Sequence, residues 1–576
     1  MRNASRMLAA LLVVAAMGVA ATPVAAQDTE TLSVSFPSED GSLTPYTFMT
    51  GYPLMMLVYD SLTWRDADGV AQPWLARSVR RTDAGRRVTV RLRDGVRWHD
   101  GRPLTAADVV FTYRYIGTHR HPRFTPQLRD IESVTAPDAR TVVFDLRKAS
   151  LGFEDQPLAD VPILPRHLWE GLPAGQLAPP GLPIGTGPYR LARHVVGKSY
   201  SFRANRAYFK GSPSAQELRV PIVTRESDAF SRLKQGSLDA VPVNLPAGAI
   251  RERTRRLEFA EGVSYSGTML EFNLARAPFH SREARRAIAR ALRLDAIAGD
   301  KSGPGAMATA ERGMLHPQSA WSSRATLHRS DLPAARVAFV EEAIAPFTIL
   351  ASSADGVRLE AARRVAKALR GVGGQVRVEA LPARQFERRL GRGASAADFD
   401  AAVVGIPALA SYDPAFLRNV FGDPRVATLN DGGYRSARFE QLADRVASAT
   451  TRASRRAAVA AELELVAQDV PAVPLFFGGA TFAYRERAYR GWVDVKGIGI
   501  LDKRSFLPAK AKSTAPARQA ATPAATASDP RDRTEGDDAI SLVPIIIGLV
   551  VLLILGGVAA ALRSRAANST HRPRGR

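Results

Sequence analysis

The sequence predicts an α/β protein of two or three domains followed by a single membrane-spanning helix. Three observations predict it. At 576 residues, with 45% apolar and 23% charged residues, the chain is globular and too long for one core. Between residues 347 and 405 short β-branched segments alternate with amphipathic ones, the pattern of a parallel sheet covered by helices. Residues Ser541 to Leu562 carry no charge and are long enough, at 1.5 Å per residue, to cross a hydrocarbon core of about 30 Å.

The chain opens with a basic start (Arg2, Arg6), an apolar run from Met7 to Ala21, and small residues Val24-Ala25-Ala26 before Gln27. This is a secretory signal with cleavage expected after Ala26. There is no cysteine, so the exported protein has no disulfide, no thiolate ligand or nucleophile, and no N-terminal cysteine to lipidate.

In the first half, Val88 to Leu92 and Thr141 to Leu146 read as strands. The stretch "VRLRDGVRWHDGRPLTAADVVFTYRYI" (Val90 to Ile116) is informative. Val88, Val90 and Leu92 alternate with polar residues, Asp94-Gly95 and Asp100-Gly101 are tight-turn dipeptides, and Thr105 with Asp108 opens a helix in near-capping-box spacing. His99-Asp100 could be taken for a catalytic pair, but the spacing assigns it to a turn. In the second half, strands are expected at Phe347 to Ala351, Val376 to Ala380 and Phe399 to Gly405, with helices at Val357 to Leu369 and around Arg384 to Leu390. Two further helix faces carry Phe439, Leu442, Ala443 and Val446, then Val459, Leu463, Val466 and Val470.

Residues 508–540, rich in Ala, Thr, Pro and charge, read as a disordered tether. After the span at 541–562, Arg563, Arg565, Arg572, Arg574 and Arg576 place the tail 563–576 in the cytoplasm and the body outside it.

The net charge of +23 is spread along the chain without interleaved aromatics, which excludes a nucleic-acid surface. No G-x-S-x-G, H-E-x-x-H or P-loop appears, and Ser302 to Ala308 ("SGPGAMA") reads as a loop. His119 and His121 lack a nearby carboxylate, so no metal site is expected there.

The segment "LRDGVRWHDGRPLTAADVVFTYRYI" closely resembles the most diagnostic segment of the family 5 solute-binding proteins of ATP-binding-cassette importers. The resemblance continues in order through "LVYDSLTWRDADGVAQPWLARS", "GTGPYRL", "FRANRAYFKGSPSAQELRV", "LKQGSLDAV", "LEFNLARAPFHSREARRAIARAL", "FERRLGRGASAADFDAAVVG", "SYDPAFLRNVF" and "VPAVPLFF", covering nearly all of Gln27 to Leu507. It implies a two-lobed, periplasmic-binding-protein-like fold with mixed sheets and an inter-lobe cleft. Lobe I would hold 27–268 and 475–507, and lobe II 269–474, with crossings near Thr268 to Ala275 and Pro471 to Phe477. It also implies an extracytoplasmic receptor that is not an enzyme and needs no cofactor. Its partners would be a peptide or other small organic solute, the importer's permease subunits, and the membrane through the C-terminal helix. An exported hydrolase or a ligand sensor on the same fold is the alternative.

By the same resemblance the ligand-binding residues are Phe48, Met49 and Thr50 on a first-lobe loop, Asn273 at the first crossing, and Tyr412 and Asp413 on the loop after Gly405. Peptide receptors of this family carry an aspartate some four residues before an Asp-Pro-like motif, where it pairs with the peptide ammonium. Here that position is Leu409 or Ala410, and the common tryptophan is Ile406. Asp413 is the one nearby acid that could substitute. Free-N-terminus di- and tripeptides are therefore expected to be poor ligands.

Overall fold

A computed structural model describes residues 29–37, 39, 41–48, 51–173, 175–243, 257–299, 307–391 and 397–508. The signal (1–26), nearly all of the tether, the span 541–562 and the basic tail lie outside the described residues. Among the described residues no helix is long and apolar enough to cross a membrane.

The structure is a two-lobed α/β fold. In the first lobe, Thr29–Ser33 runs parallel to Ala215–Pro221, which continues antiparallel through Ser199–Ala204 to Tyr189–Val195. A second sheet is antiparallel, ordered Ala76–Thr82, Arg87–Leu92, Thr141–Leu146 and Ile131–Asp138. Val88, Val90 and Leu92 are buried and Arg87 and Arg91 exposed, as the alternation requires. The second lobe centres on parallel strands Phe347–Ser352, Val376–Leu381 and Ala401–Ile406, covered by helices such as Gly356–Arg370.

The 90–116 stretch folds as its turns dictate. Trp98 N donates to Arg102 O at 2.8 Å and Gly101, at φ +91°, closes the hairpin. The Asp108 carboxylate accepts the Thr105 backbone N–H at 2.9 Å and its hydroxyl at 3.0 Å, sealing the start of helix Ala106–Thr118. His99 and Asp100 part company. The buried His99 ring donates from Nε2 to Gly187 O (3.0 Å) and accepts at Nδ1 from Gly185 N (3.3 Å), and desolvation pushes it down to about 4. Asp100 bonds His167 instead, at 2.7 Å. His99 thereby clamps the "GTGPY" segment, where any Cβ at Gly185 would sit 1.9 Å from Val58 O.

Two long strands, Leu257–Phe272 and Ala472–Arg485, join the lobes. They pair antiparallel, with the register broken between Val263 and Gly267. One end of Leu257–Phe272 adds Ala401–Ile406 of the second lobe, while Ala472–Arg485 adds Ala240–Val243 at the other. One apolar core runs from Leu32 to Ala240 and takes in Ile500, Leu501, Phe506 and Leu507. Two others occupy the second lobe, from Met269 or Leu270 to Phe477.

What returns the chain to the first core is an ion pair. Lys503 Nζ lies 2.6 Å from Asp60 Oδ1, and both side chains are fully buried. Asp60 also accepts from Trp74 Nε1 (2.8 Å), Tyr208 (3.0 Å) and Thr186 (3.0 Å), while Lys503 donates to Tyr59 O (3.0 Å) and lies 4.4 Å from the Trp64 ring. Asp60 thus has four donors and Lys503 two acceptors and an aromatic face, the kind of close partnering under which a buried pair is tolerated.

The pairing is different on helix Arg452–Asp469, whose buried face carries Arg455 and Glu462 among Val459, Leu463 and Val466. The Glu462 carboxyl is fully buried and neither oxygen has a hydrogen-bond partner among the described residues. Burial pushes it up to about 8, against the attraction of Arg455 and Arg418 and with the repulsion of Asp413 and Glu440.

Two outcomes are expected. Lys503→Met leaves Asp60 buried without its counter-charge and should cost about 3 to 5 kcal/mol in urea unfolding of the 27–507 body. For Glu462 the folded pKa is raised, so its carboxyl is harmless at pH 5 and progressively destabilising as pH rises toward 8. The stability of wild type relative to Glu462→Gln should therefore fall by roughly 1 kcal/mol per pH unit across that window, and a pH-independent difference would refute the assignment.

Candidate functional site

The first-lobe wall of the cleft grows from the loop ending at Phe48 and the helix Tyr52–Val58. Phe48 packs on Tyr52 (5.8 Å between ring centroids), His121 (5.9 Å) and Phe124 (6.0 Å). Arg123 lies 4.0 Å over the Tyr52 ring and forks onto Asp160 at 2.9 and 2.7 Å. Tyr52 donates its hydroxyl to Asp160 O at 3.1 Å and stacks on Trp64. His121, whose Nδ1 accepts from Arg123 N, is pushed down to about 4 by burial. Among the described residues no group of three or more His, Cys, Asp or Glu could hold a metal ion.

The second-lobe wall is the turn Ala408–Tyr412. The Tyr412 ring lies 3.9 Å from the Arg65 guanidinium and 4.9 Å from Tyr265, and its hydroxyl donates to Lys496 O at 2.8 Å. Its burial raises its own pKa well above the usual phenol value. Arg65 donates to Asp155 O at 3.0 Å, and burial pushes the Asp155 carboxyl up to about 6 against the pull of Arg65. Further along the seam Gln156 Nε2 donates to Leu409 O at 2.9 Å and Lys148 meets Asp444 at 3.4 Å.

Asp413 turns away from Tyr412. Its Oδ1 accepts from Ala415 N at 3.0 Å, capping the turn Pro414–Leu417, and takes the Arg455 guanidinium. The acid that could have replaced the missing ammonium partner is thus already neutralised. Leu409 and Ala410, where the family's peptide receptors carry that partner, are buried apolar residues.

Of the six residues expected from the sequence, Phe48 packs within the first lobe on Tyr52, His121 and Phe124, Tyr412 meets Arg65 of the first lobe, and Asp413 adjoins Tyr412 at the same seam. Met49 and Thr50 lie outside the described residues. Asn273 lies immediately past the end of strand Leu257–Phe272, and its hydrogen bonds go to neither Phe48 nor Tyr412. There its amide donates to Phe399 O at 2.9 Å and accepts from Ala275 N at 3.2 Å. Tyr52, Arg65, Arg123, Asp160 and Tyr265 were missed. Arg65 lies within a segment read only for family resemblance and Arg123 two residues past a histidine weighed for metal binding, and an aromatic close to an arginine is the available signal.

The arrangement can stack and hydrogen-bond a solute. At the buried Ser411 no hydroxyl–imidazole pair forms: Ser411 Oγ accepts the backbone N–H of His316 at 3.0 Å, and His316 Nδ1 accepts from Gln318 N.

Comparison with known proteins bears on the fold and the family. Residues 70–427 match the model of bacterial extracellular solute-binding proteins, family 5 Middle. The chain is 30% identical over 410 residues to Protein XP55 of Streptomyces lividans, covering 66% of this chain and 72% of that protein. It is 26% identical over 246 residues to the oligopeptide-binding protein AppA of Bacillus subtilis, covering 42% and 45%. The structure of that AppA in complex with a nonapeptide superposes with a TM-score of 0.70 at 22% identity, covering 80% of this chain and 95% of AppA. NikZ of Campylobacter jejuni in complex with Ni(L-His) superposes with a TM-score of 0.72 at 22% identity, covering 82% and 97%. At that identity the likeness establishes the fold, and the family match establishes membership: the chain belongs to the family 5 bacterial extracellular solute-binding proteins.

Proposed function

We propose that this chain is the extracytoplasmic receptor of an ATP-binding-cassette importer, capturing a peptide or similar-sized organic solute by closure of its lobes and delivering it to the permease. The observation that carries this reading is the confrontation of two walls on separate lobes. Phe48, Tyr52 and Arg65 stand on one, Tyr412 on the other, and the lobes are joined by two strands whose register breaks between Val263 and Gly267. A broken ladder between two packed bodies is a natural hinge. Lobe I comprises 27–268 and 475–507, and lobe II comprises 269–474. The protein is exported by its N-terminal signal and held at the membrane by 541–562, with 508–540 as tether.

The charges of the seam bear on what is captured. Asp160 is engaged by Arg123, Asp155 faces Arg65, and Asp413 is engaged by Arg455. A solute ammonium entering here finds Asp160 and Asp413 already neutralised by their guanidinium partners, while Asp155, whose neighbour Arg65 bonds only its backbone carbonyl, is held toward its neutral form by burial. An unpaired buried ammonium costs about 3 to 5 kcal/mol, or two to nearly four decades of affinity. The favoured solute is neutral, blocked at its amino end, or larger than a tripeptide.

A thermal-shift screen of the 27–507 body against peptides, sugars, opine-like compounds and metal chelates tests the reading, with a solute at 100 times its Kd expected to stabilise by about 2.7 kcal/mol. In calorimetry, N-acetylated tripeptides should bind more tightly than their free counterparts. Sub-micromolar binding of the free form that is lost on acetylation would overturn the charge argument, and consumption of any bound solute would favour a hydrolase. For attachment, deletion of residues 539–576 should release the body from salt-washed membranes; a truncated protein that still sediments refutes the anchor, the wash removing electrostatic adhesion of a basic body.

A further inference from the structure

Arg455 stands behind the cleft wall. Its side chain is 1% exposed, its Nη2 meets the Asp413 carboxylate, and its Nε donates to Val446 O at 3.2 Å. Its guanidinium carbon lies 4.7 Å from the centroid of the Trp321 ring, and Trp321 Nε1 donates to Tyr412 O at 3.1 Å. The same strip braces the preceding residue, with Ser319 Oγ donating to Ser411 O at 2.6 Å. Two routes therefore run from Arg455 to adjoining residues of one turn. One is ionic and reaches the Asp413 side chain; the other passes through a stacked indole to the Tyr412 carbonyl.

That turn is where the lobes meet. A Cβ added at Gly152 would lie 2.0 Å from Asp413 Oδ2, so the carboxylate rests directly against first-lobe backbone, which only glycine permits. Tyr412, one residue earlier, reaches Lys496 O and the Arg65 guanidinium. A displacement of this turn by a few tenths of an ångström either clashes at Gly152 or lengthens the Tyr412 bond.

We propose that Arg455 is a positioning residue for the cleft, holding the Tyr412–Asp413 turn in the geometry that meets the opposite lobe while touching no solute itself. This rests on the receptor function proposed above. The planar fork is what the position needs, because it lies against the Trp321 ring while bonding Val446 O and Asp413 at once. A lysine supplies the charge as a point donor and cannot do all three.

The absence of native cysteine permits a direct readout. Lys148 and Asp444 face each other across the seam at 3.4 Å, each with a half-exposed side chain. Lys148→Cys with Asp444→Cys, treated with a short bismaleimide, reports how often the lobes meet. Into this background go Arg455→Lys, and Arg455→Met combined with Asp413→Asn, which removes both charges so that neither is left buried alone. In both, the cross-linking rate should fall several-fold while the melting temperature of Arg455→Lys stays near that of the parent. Binding of N-acetyl-Ala-Tyr-Ala amide should weaken about tenfold, the equivalent of one charge-assisted hydrogen bond. Cross-linking unchanged in both variants overturns the proposal, as does a rate that falls only in step with melting temperature. If the parent cross-links but ignores the peptide, that solute assignment fails while the cross-linking comparison still decides the role of Arg455.

Discussion

The buried Asp60–Lys503 pair is the constraint on which the architecture depends. It joins a residue in the first tenth of the described chain to one at its end, inside a box of Trp64, Trp74 and Tyr208. A charge so deeply buried is tolerable only with its partner present, so residues after the second lobe must come back to the first. The return is made by Ala472–Arg485, antiparallel to the outgoing strand Leu257–Phe272. Two lobes joined by two strands follow from that return.

Paired charge recurs wherever the lobes approach one another. Arg123 with Asp160 and Arg455 with Asp413 are ion pairs there, and the Arg65 guanidinium lies over the Tyr412 ring. Between these pairs stand tyrosines and a phenylalanine, whose faces stack on planar groups and whose hydroxyls bond at low entropic cost. This combination suits the neutral, polar solute of the proposed function. Only Glu462 breaks the pattern, a carboxyl buried behind Arg455 with no hydrogen bond of its own among the described residues.

Much of this was legible before any coordinates. The strands at 88–92, 141–146 and 347–351 and the helix face of Phe439, Leu442, Ala443 and Val446 follow from period-2 and period-3.6 patterning, which are local properties. The turn reading of His99-Asp100 was local as well, being written in two Asp-Gly dipeptides. The site was less legible. Tyr412 and Phe48 are expected at the site through resemblance, but the surroundings of Asp413 and Asn273 depend on partners remote in sequence: Arg455 is 42 residues from Asp413 and Phe399 is 126 from Asn273.

By itself, then, the sequence determined the element types, the order of the motifs that define the family, and the lack of an acid at Leu409 and Ala410. Each of these depends on residue identity and near neighbours alone. Tertiary structure decided where the polar side chains spend their hydrogen bonds. It turned Asp413 to a buried guanidinium, committed the Asn273 amide to a backbone carbonyl, made His99 a neutral clamp on the glycine-bearing loop 185–187, and set Arg65 against Tyr412. The physical reason is that a buried polar group must find a partner, and which partner lies within reach is a property of tertiary packing, within each lobe as well as between them, not of spacing along the chain.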